Sequence, residues 1–269
     1  MTGRSAPLLS LIVAVYNRDD FLEKVFESLL NQRFRDFEII VADDGSGPAI
    51  AEIIAQYADR FPHPIQHEWH EDDGFRKTIV VNKAVTRSNT GYLVFIDGDC
   101  ILHNRFLDRH YKRRKPNQVL AGRRVLLDPR ITERVTVEDV HSRRIERIPY
   151  WWNHAGQIDR WNGFYLPVLH PFRNLGRGDY QILGCNFSVH KDDFFRVNGY
   201  DERIIGRGLE DNNLWRRFIN SGIAVRTITR EAIQYHLYHS SEPIPHDDAF
   251  VDEFRSSTET RTPFGIIKE

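Results

Sequence analysis

Apolar residues come in short runs over the first hundred positions of the chain. Residues 8–15 form an almost wholly apolar run rich in branched side chains, and residues 37–42 and 92–96 form two more. Runs of this kind are typical of parallel strands that are covered on both faces. A shorter run at residues 65–69 predicts a further strand.

Between the predicted strands, apolar residues recur at helical spacing. In the first connection they are Phe21, Leu22, Val25, Phe26, Leu29 and Leu30. Two more helices are predicted over residues 48–60, where Pro48 suits the first turn, and over residues 77–87. This alternation predicts an α/β fold with a mostly parallel sheet and right-handed crossovers. In such sheets, ligands bind at the carboxyl ends of the strands.

Three of those carboxyl ends carry polar residues. Tyr16-Asn17 follows the first strand, Asp43-Asp44 follows the second, and Asp97-Gly98-Asp99 follows the fourth. Carboxylates held close together repel each other unless a cation or a ligand compensates, and Mg²⁺ or Mn²⁺ accepts carboxylate and phosphate oxygens. The sequence has no glycine-rich phosphate loop, so a metal and basic side chains would have to hold a phosphate here. For residues 43–47, a simple turn is an equally good interpretation.

Two features later in the chain also point to chemistry. Glu210 and Asp211 begin a predicted helix with apolar and aromatic side chains, and such surroundings make a carboxylate a better base. Compensation of the helix dipole is the structural alternative for these two acids. His236 and His239 lie in a predicted strand over residues 233–239, where residues three apart point to opposite faces. One metal-binding histidine is therefore favoured, and the alternative is one structural and one exposed histidine.

Composition and charge limit the classes of function. The chain has 269 residues, with 37 basic and 38 acidic side chains and a net charge of -1. A nucleic-acid partner is not expected, because it would need a basic surplus. Two cysteines, Cys100 and Cys185, are too few for a disulfide framework and favour a reducing compartment. The apolar run at residues 8–16 is half the length of a membrane span, and no secretory signal is recognisable, so a cytoplasmic protein is expected.

Although the net charge is close to zero, the middle of the chain contains a basic segment. From Arg105 to Arg147 there are 13 basic and 6 acidic side chains, and this stretch leads to Tyr150-Trp151-Trp152. Basic residues beside tryptophan and tyrosine suit a peripheral contact of Arg105–Trp152 with the inner face of a membrane, or an anionic acceptor. A solvated helix face with core aromatic residues is the favoured alternative.

Five motifs, in their order along the chain, resemble those of family 2 glycosyltransferases with the GT-A fold. Three of the motifs resemble the nucleotide-binding side of these enzymes. They are Val15-Tyr16-Asn17, Asp43-Asp44-Gly45-Ser46 and the "DxD" motif Asp97-Gly98-Asp99. The remaining motifs resemble the uridine-side segment of chondroitin-polymerase-like transferases and the acceptor-side motif of β1,4-galactosyltransferases. The uridine-side segment is residues 70–76 with Asn82, and the acceptor-side motif comprises residues 198–201 and residues 206–212. The resemblance covers the chain from about residue 8 to residue 240.

The resemblance implies a donor site for a UDP-sugar. Ala14 and Tyr16 would line the uracil pocket, and Asp44 would accept a hydrogen bond from the uracil ring. Arg76 would lie near the phosphates, and Asp97 would face the ribose or the donor sugar. The full set of implied donor-site residues is Ala14, Tyr16, Asn17, Asp43, Asp44, Arg76, Asn82, Asp97 and Gly98.

The resemblance also implies the catalytic and metal-binding residues. Asp211 would be the general base, and Glu210 would bind the acceptor or orient the base. Asp99 would bind Mn²⁺ or Mg²⁺ together with His239, with His236 as the second candidate. At residues 207–209 the chain has Arg-Gly-Leu where galactosyltransferase-like members have Trp-Gly-Gly, which leaves the identity of the acceptor open.

The function that this resemblance predicts is an inverting, metal-dependent transfer of a sugar from UDP to a hydroxyl group. The acceptor would be a glycan or a lipid-linked saccharide in bacterial surface polysaccharide or lipopolysaccharide synthesis. Within one domain, residues 1–101 would bind the nucleotide-sugar and residues 102–246 would form a smaller, mixed acceptor-side region that carries the base. Residues 247–269 would be a peripheral extension. A nucleotidyltransferase, a receiver domain and a non-catalytic carbohydrate-binding protein are the alternatives, and the oligomeric state stays open.

Overall fold

The predicted strands of the first hundred residues are all present in the computed structural model of the protein. The structure describes residues 6–147, 150, 181–206, 208–240, 252 and 257–268. The first four strands are β1 (Leu9–Val15), β2 (Phe37–Asp43), β3 (Ile65–Trp69) and β4 (Tyr92–Asp97). The later strands are β5 (Cys100–Leu102), β6 (Gln118–Ala121), β7 (Val125–Leu126), β8 (Phe187–His190), β9 (Ala224–Thr227) and β10 (Gln234–His236).

Helices connect these strands, and the first three and the helix that begins at Glu210 lie in the predicted places. Near the amino terminus they are α1 (Asp19–Leu30), α2 (Pro48–Tyr57) and α3 (Lys77–Thr86), and a short 3-10 turn, Ala58–Arg60, extends α2. Further on they are α4 (Phe106–Arg113), α5 (Pro129–Arg134), α6 (Val137–His141), α7 (Lys191–Arg196) and α8 (Glu210–Asn220), with a second 3-10 turn at Arg144–Glu146.

The strands form a large sheet and a small one. The seven-stranded sheet has the order β3-β2-β1-β4-β8-β6-β9. Its strands β3, β2, β1 and β4 are parallel neighbours, β8 is antiparallel to β4 and β6, and β9 is parallel to β6. The small sheet has the order β5-β10-β7. Since β5 follows β4 after a tight turn, the small sheet adjoins the carboxyl end of the large one.

Helices cover both faces of the large sheet, as expected for strands that are apolar on both sides. Leu9, Leu11 and Val13 of β1 pack with the apolar side chains of α1 and α2. Ile12 packs on the opposite face with α3, α7 and α8. A third cluster fills the space between the small sheet, α5 and α6. The mostly parallel α/β architecture predicted from the sequence is therefore confirmed.

The turn after β4 is fixed by a close approach of backbones. The Gly98 N–H donates to the carbonyl oxygen of Ala14 at 2.7 Å. A β-carbon at position 98 would lie 2.6 Å from Cγ1 of Val15, which is too close for any other residue. Gly98 thus sets the distance between the end of β1 and the Asp97-Gly98-Asp99 turn.

The predicted division into two halves does not correspond to two separate sheets. Strands β6, β8 and β9, from residues 102–246, belong to the same sheet as β1–β4. The proposed boundary after residue 101 falls inside β5, whose register with β10 continues across it. The two halves thus share one sheet, which agrees with their assignment to one domain.

The carboxyl-terminal segment needs a correction, because its described part is anchored in the fold rather than peripheral. Thr262 is fully buried, and its hydroxyl donates to Oδ2 of Asp201 at 2.8 Å. The Asn198 amide donates to the carbonyl oxygens of Thr262 and Ile267 at 2.7 and 2.8 Å. These contacts satisfy buried polar groups of residues 197–202, so residues 257–268 are tied to the fold through Thr262 although most of them stay exposed or half-buried. Residues 247–251 and 253–256 lie outside the described residues.

The basic segment, Arg105–Trp152, is partly neutralised by acidic neighbours. Arg113 pairs with Glu231 at 2.9 Å, and Arg143 pairs with Glu146 at 2.9 Å. Trp151-Trp152 lies outside the described residues, and the membrane contact remains a prediction. Over the residues that the structure describes, no helix has the length and apolar character needed to cross a bilayer.

Replacing Asn198 by alanine is expected to loosen the carboxyl-terminal segment. The substitution removes the two amide bonds and the bond that Oδ1 of Asn198 accepts from Ile267 N–H at 2.8 Å. It also places alanine at a φ of 65°. We expect a loss of about 2–4 kcal/mol in the free energy of unfolding, measured by urea denaturation. Asn220→Ala, which removes exposed bonds to Ser257 and Glu259, is the control and should cost clearly less. Equal losses in both variants would contradict the anchoring role.

Candidate active site

One aspartate and two histidines meet at the carboxyl end of β4. Oδ2 of Asp99 lies 3.2 Å from Nε2 of His236 and 3.0 Å from Nε2 of His239. The antiparallel pairing of β5 and β10 sets His236 opposite Cys100, next to Asp99. Strand β10 ends at His236, so the chain is free to turn His239 back to the same side. The sequence favoured one metal-binding histidine, with His239 first, whereas the structure brings both to Asp99.

The electrostatics of this cluster favour an ionised carboxylate. Burial raises the pKa of Asp99, but the hydrogen bonds from His236 and His239 outweigh burial and hold that pKa well below its usual range. The same three ligand atoms all lie within 4.8 Å of one another. Two ligand atoms that each lie about 2.0–2.2 Å from a divalent ion are roughly 3 Å apart when they occupy neighbouring positions. The distances from Asp99 to the two histidines are similar, so a small adjustment of the side chains would admit an ion. Two imidazoles and a carboxylate suit Mn²⁺ better than Mg²⁺, which prefers oxygen.

A buried lysine, which the sequence analysis missed, lies beside the metal-binding cluster. Nζ of Lys77, the first residue of α3, is 2.5 Å from Oδ1 of Asp97. Burial lowers the pKa of Lys77, but the negative charges of Asp97, Asp211 and Glu210 raise it above its ordinary value. Lys77 is therefore the cation that faces three carboxylates at once. The sequence showed only a lysine at a predicted helix start, which is a common place for a solvated residue.

The Asp211 carboxylate is oriented by two donors. Tyr200 Oη donates to Oδ1 at 3.1 Å, and the Gly184 N–H donates to Oδ2 at 2.7 Å. A β-carbon at position 184 would lie 2.6 Å from Oδ1 of Asp211, so only glycine fits there. Burial raises the pKa of Asp211, and the charge of Lys77 and the bond from Gly184 oppose this effect. The result is a held carboxylate whose pKa still lies above its usual range.

Glu210 precedes Asp211 in the first turn of α8 and is buried. Its Oε2 accepts the Gly208 N–H at 2.5 Å. Burial, followed by the charge of Asp211, raises the pKa of Glu210 to about 7. Acids in a first helical turn complement the helix dipole on the surface as well. Burial of Glu210 is not needed for that purpose, so this position points to chemistry.

Asp44 lies in a second polar cluster, after β2. Its carboxylate accepts the Arg76 N–H at 2.9 Å and lies 2.7 Å from Nε2 of His70. Burial raises the pKa of Asp44, and the bonds from His70 and Arg76 limit the rise. Tyr16 is half exposed above this region, and its hydroxyl donates to Oδ2 of Asp72 at 3.0 Å. The phenol ring of Tyr16 is thus held in place with an accessible surface.

Three of the implied donor-site residues form bonds inside the fold. Asp43 is fully buried and accepts the Ser46 N–H at 2.8 Å, as the turn interpretation of residues 43–47 expects. The Asn17 N–H donates to Oγ of Ser46 at 2.9 Å. Asn82 is buried, and its amide donates to the carbonyl oxygen of Tyr200 at 2.8 Å. The side chains of Asp43 and Asn82 thus support the rim from inside the fold, whereas Asn17 is exposed and its Oδ1 accepts the Gly47 N–H at 2.9 Å.

The guanidinium of Arg76 uses only some of its hydrogen-bond donors within the described part of the fold. Its guanidinium donates to the carbonyl oxygen of Glu71 at 2.6 Å and pairs with Oδ2 of Asp73 at 3.2 Å. Among the described residues, its buried Nε has no hydrogen-bond partner. Arg76 therefore lies at the rim with a hydrogen-bond donor still available.

The fold and the rim of acids and histidines define a glycosyltransferase of the GT-A type. The family model described as Glycosyl transferase family 2 matches residues 10–167. The model described as the N-terminal domain of galactosyltransferase matches residues 176–240. Because the first match covers more than half of the chain, the chain belongs to glycosyl transferase family 2. The expected fold, family and enzyme class are confirmed, and the receiver, nucleotidyltransferase and non-catalytic alternatives are set aside.

Two curated relatives cover most of the chain. Validoxylamine A glucosyltransferase of Streptomyces hygroscopicus subsp. limoneus is 28% identical over 237 residues, which are 84% of this chain and 51% of that protein. Chondroitin synthase of Escherichia coli is 26% identical over 242 residues, which are 85% of this chain and 34% of that protein. The chain therefore spans about half the length of the first relative and a third of the second.

Solved structures show the same fold at low sequence identity. Mannosyltransferase PcManGT from Pyrobaculum calidifontis, in complex with GDP-Man and Mn²⁺, has a TM-score of 0.58 and 15% identity, and covers 88% of this chain and 58% of that chain. A fragment of S. aureus TarS, in complex with UDP-GlcNAc, has a TM-score of 0.56 and 16% identity, and covers 87% of this chain and 60% of that chain. Identities this low demonstrate a shared fold alone.

Replacing Glu210 by glutamine is expected to make the protein more stable at high pH. The pKa of about 7 in the folded protein lies above the unfolded value of 4.5. Glu210 therefore contributes stability below about pH 4.5, and this contribution is lost as the pH rises through 7. As the pH rises from 5 to 8, the free energy of unfolding of the variant should increase relative to that of the wild type by on the order of 2 kcal/mol, measured by urea unfolding. Glu52→Gln, at an exposed position of α2, is the control, and the same pH trend in both variants would refute the assignment.

Proposed function

We propose that the protein is an inverting, Mn²⁺-dependent glycosyltransferase that uses a UDP-sugar. The observation that carries this proposal is that Asp99, His236 and His239 lie on the same rim as the Lys77–Asp97 pair and the Asp211 carboxylate. A metal-ligand set beside an oriented base is what transfer from a nucleoside diphosphate requires. The acceptor is a hydroxyl group of a glycan or a lipid-linked saccharide, in the synthesis of a bacterial surface polysaccharide or lipopolysaccharide.

The donor binds along the ends of β1, β2 and β4. Asp44 accepts a hydrogen bond from the ring N–H of uracil, and Tyr16 presents its exposed ring face to the base. Ala14 lies between them at the end of β1. The TarS fragment that shares the fold is in complex with UDP-GlcNAc, which supports a uridine nucleotide, whereas PcManGT is in complex with GDP-Man. The accepting carboxylate of Asp44 matches the N–H of a uracil ring.

The metal is held by Asp99, His236 and His239. When bound, the divalent ion stabilises the negative charge of the departing diphosphate. The Mn²⁺ in the complex of PcManGT supports this ion, in agreement with the mixed nitrogen and oxygen ligands. Asp97 faces the donor sugar and pairs with Lys77 Nζ at 2.5 Å.

Asp211 removes the proton from the acceptor hydroxyl. The acceptor oxygen attacks the anomeric carbon from the side opposite to the diphosphate, the bond from that carbon to the phosphate oxygen breaks, and the configuration inverts. Tyr200 and Gly184 hold the carboxylate so that one oxygen lone pair faces the acceptor. Lys77 limits the rise in the pKa of Asp211, which favours the ionised form of the base. Glu210 lies next to the base and binds the acceptor.

Loss of either histidine is expected to weaken Mn²⁺ binding. In His236→Ala or His239→Ala, Asp99 keeps only one imidazole partner, so the affinity for Mn²⁺ should fall about tenfold or more. Mn²⁺ binding is measured by electron paramagnetic resonance without any nucleotide, and Mg²⁺ is tested as a competitor that should bind more weakly. His63→Ala is the control variant. If both histidine variants bind Mn²⁺ like the wild type, the assignment of the metal site is wrong.

Replacing Asp211 by asparagine is expected to separate binding from turnover. The amide keeps the shape and can still accept the Gly184 N–H, but it cannot take a proton. UDP binding in the presence of Mn²⁺ should stay within a factor of two of the wild type, measured by calorimetry. Turnover of a panel of UDP-sugars, with water or a saccharide as acceptor, should fall about 10²–10⁴-fold. Asp59→Asn, at an exposed position, is the control, and turnover retained in Asp211→Asn would exclude Asp211 as the base.

A further inference from the structure

Arg124 is a cation at the rim for which the proposed mechanism has no use. It lies between β6 and β7, two short strands that belong to different sheets. Its side chain is half buried, and Nη1 donates to Sγ of Cys185 at 3.7 Å. A thiol is a weak acceptor and offers a guanidinium little compensation for lost water.

The guanidinium of Arg124 has no ion-pair partner among the described residues. Other arginines of the same basic segment are paired, as Arg113 is with Glu231 at 2.9 Å and Arg143 is with Glu146 at 2.9 Å. A partly buried charge without a partner is costly, so a folded protein retains it where a ligand supplies the opposite charge. Arg124 therefore differs from the arginines that serve only the fold.

The surroundings place Arg124 between the metal-binding cluster and the base. Nη1 of Arg124 lies 3.7 Å from Sγ of Cys185, and the thiol of Cys100 donates to Oδ1 of Asp99 at 3.0 Å. Cys100 follows the metal ligand Asp99 directly. Cys185 follows Gly184, the residue whose N–H orients the base. An open position between these two sides is where the diphosphate and the transferred sugar would meet.

The other cation in this space is already engaged. Lys77 is held by Asp97 at 2.5 Å and also faces Asp211 and Glu210, so its charge balances the carboxylates of the protein. Among the described residues, Arg124 is thus a cation that can balance a charge that the substrate brings, in addition to the available Nε donor of Arg76. Its planar fork can make two parallel bonds to a phosphate or a carboxylate, which a hydroxyl group does not require.

We infer that Arg124 is an oxyanion-binding residue of the donor site, an inference that rests on the proposed function. The oxyanion comes from one of two sources, namely the diphosphate of the nucleotide or a carboxylate on the transferred sugar. In the first case, Arg124 shares the charge of the leaving group with the metal. In the second case, the protein selects a uronic acid donor over a neutral hexose.

The test is calorimetric binding of UDP, UDP-glucose and UDP-glucuronate in the presence of Mn²⁺. Arg124→Gln removes the charge and keeps much of the shape, and Arg124→Lys keeps the charge without the fork. Arg130→Gln, at an exposed position of α5, is the matched control for the loss of one positive charge. All variants are first compared by thermal unfolding, and Arg124→Lys provides the test if Arg124→Gln does not fold.

We expect Arg124→Gln to weaken binding about tenfold to hundredfold, with Arg124→Lys in between and Arg130→Gln unchanged. Weaker binding of all three ligands identifies the diphosphate, and weaker binding of UDP-glucuronate alone identifies the carboxylate. Unchanged binding of every ligand overturns the inference. Equal weakening for the two sugar nucleotides with UDP unaffected also overturns it, because the contact would then be to sugar hydroxyls. If the wild type itself binds no UDP, the proposed function fails, which is distinguishable from a failure of Arg124 alone.

Discussion

The site depends on one ion pair between Lys77 and Asp97. Three carboxylates, Asp97, Asp211 and Glu210, share a rim from which much of the water is excluded. Without a cation, burial and the charge of Asp97 would raise the pKa of Asp211 further. Lys77 prevents this because α3 begins beside the end of β4, which brings the ammonium group within 2.5 Å of Asp97. The packing of one helix against the sheet therefore sets the charge state of residues that are more than 100 positions away in sequence.

Topology explains how distant residues reach this rim. The parallel strands β1, β2 and β4 deliver Tyr16, Asp44 and Asp97 from their carboxyl ends, as any sheet of this kind does. The small sheet supplies a histidine to this rim, because the antiparallel pairing of β5 with β10 brings His236 to Asp99.

Local patterns and tertiary packing differ in how far the sequence reveals them. The strands and helices of the first hundred residues follow from apolar periodicity, which is a local property. Whether His236 and His239 act together depends on β10 ending at His236, and the sequence pattern extended that strand too far. The role of Lys77 depends on a contact between elements, so a single sequence carries no signal for it. The predicted peripheral extension, residues 247–269, likewise gave no sign of its tertiary contact, in which the Thr262 hydroxyl donates to the buried carboxylate of Asp201.

The pair of acids at the start of α8 shows how function and stability oppose each other at this site. An exposed glutamate at a helix start stabilises the helix through the dipole and stays ionised at no cost. Glu210 is buried beside Asp211, so that ionising it at neutral pH costs free energy of folding, as its raised pKa indicates. The protein retains this cost although a glutamine would fit the same space. Such a conflict between local stability and residue choice is expected where a site is kept for its chemistry, and it supports the proposal that the acceptor meets the base at the first turn of α8.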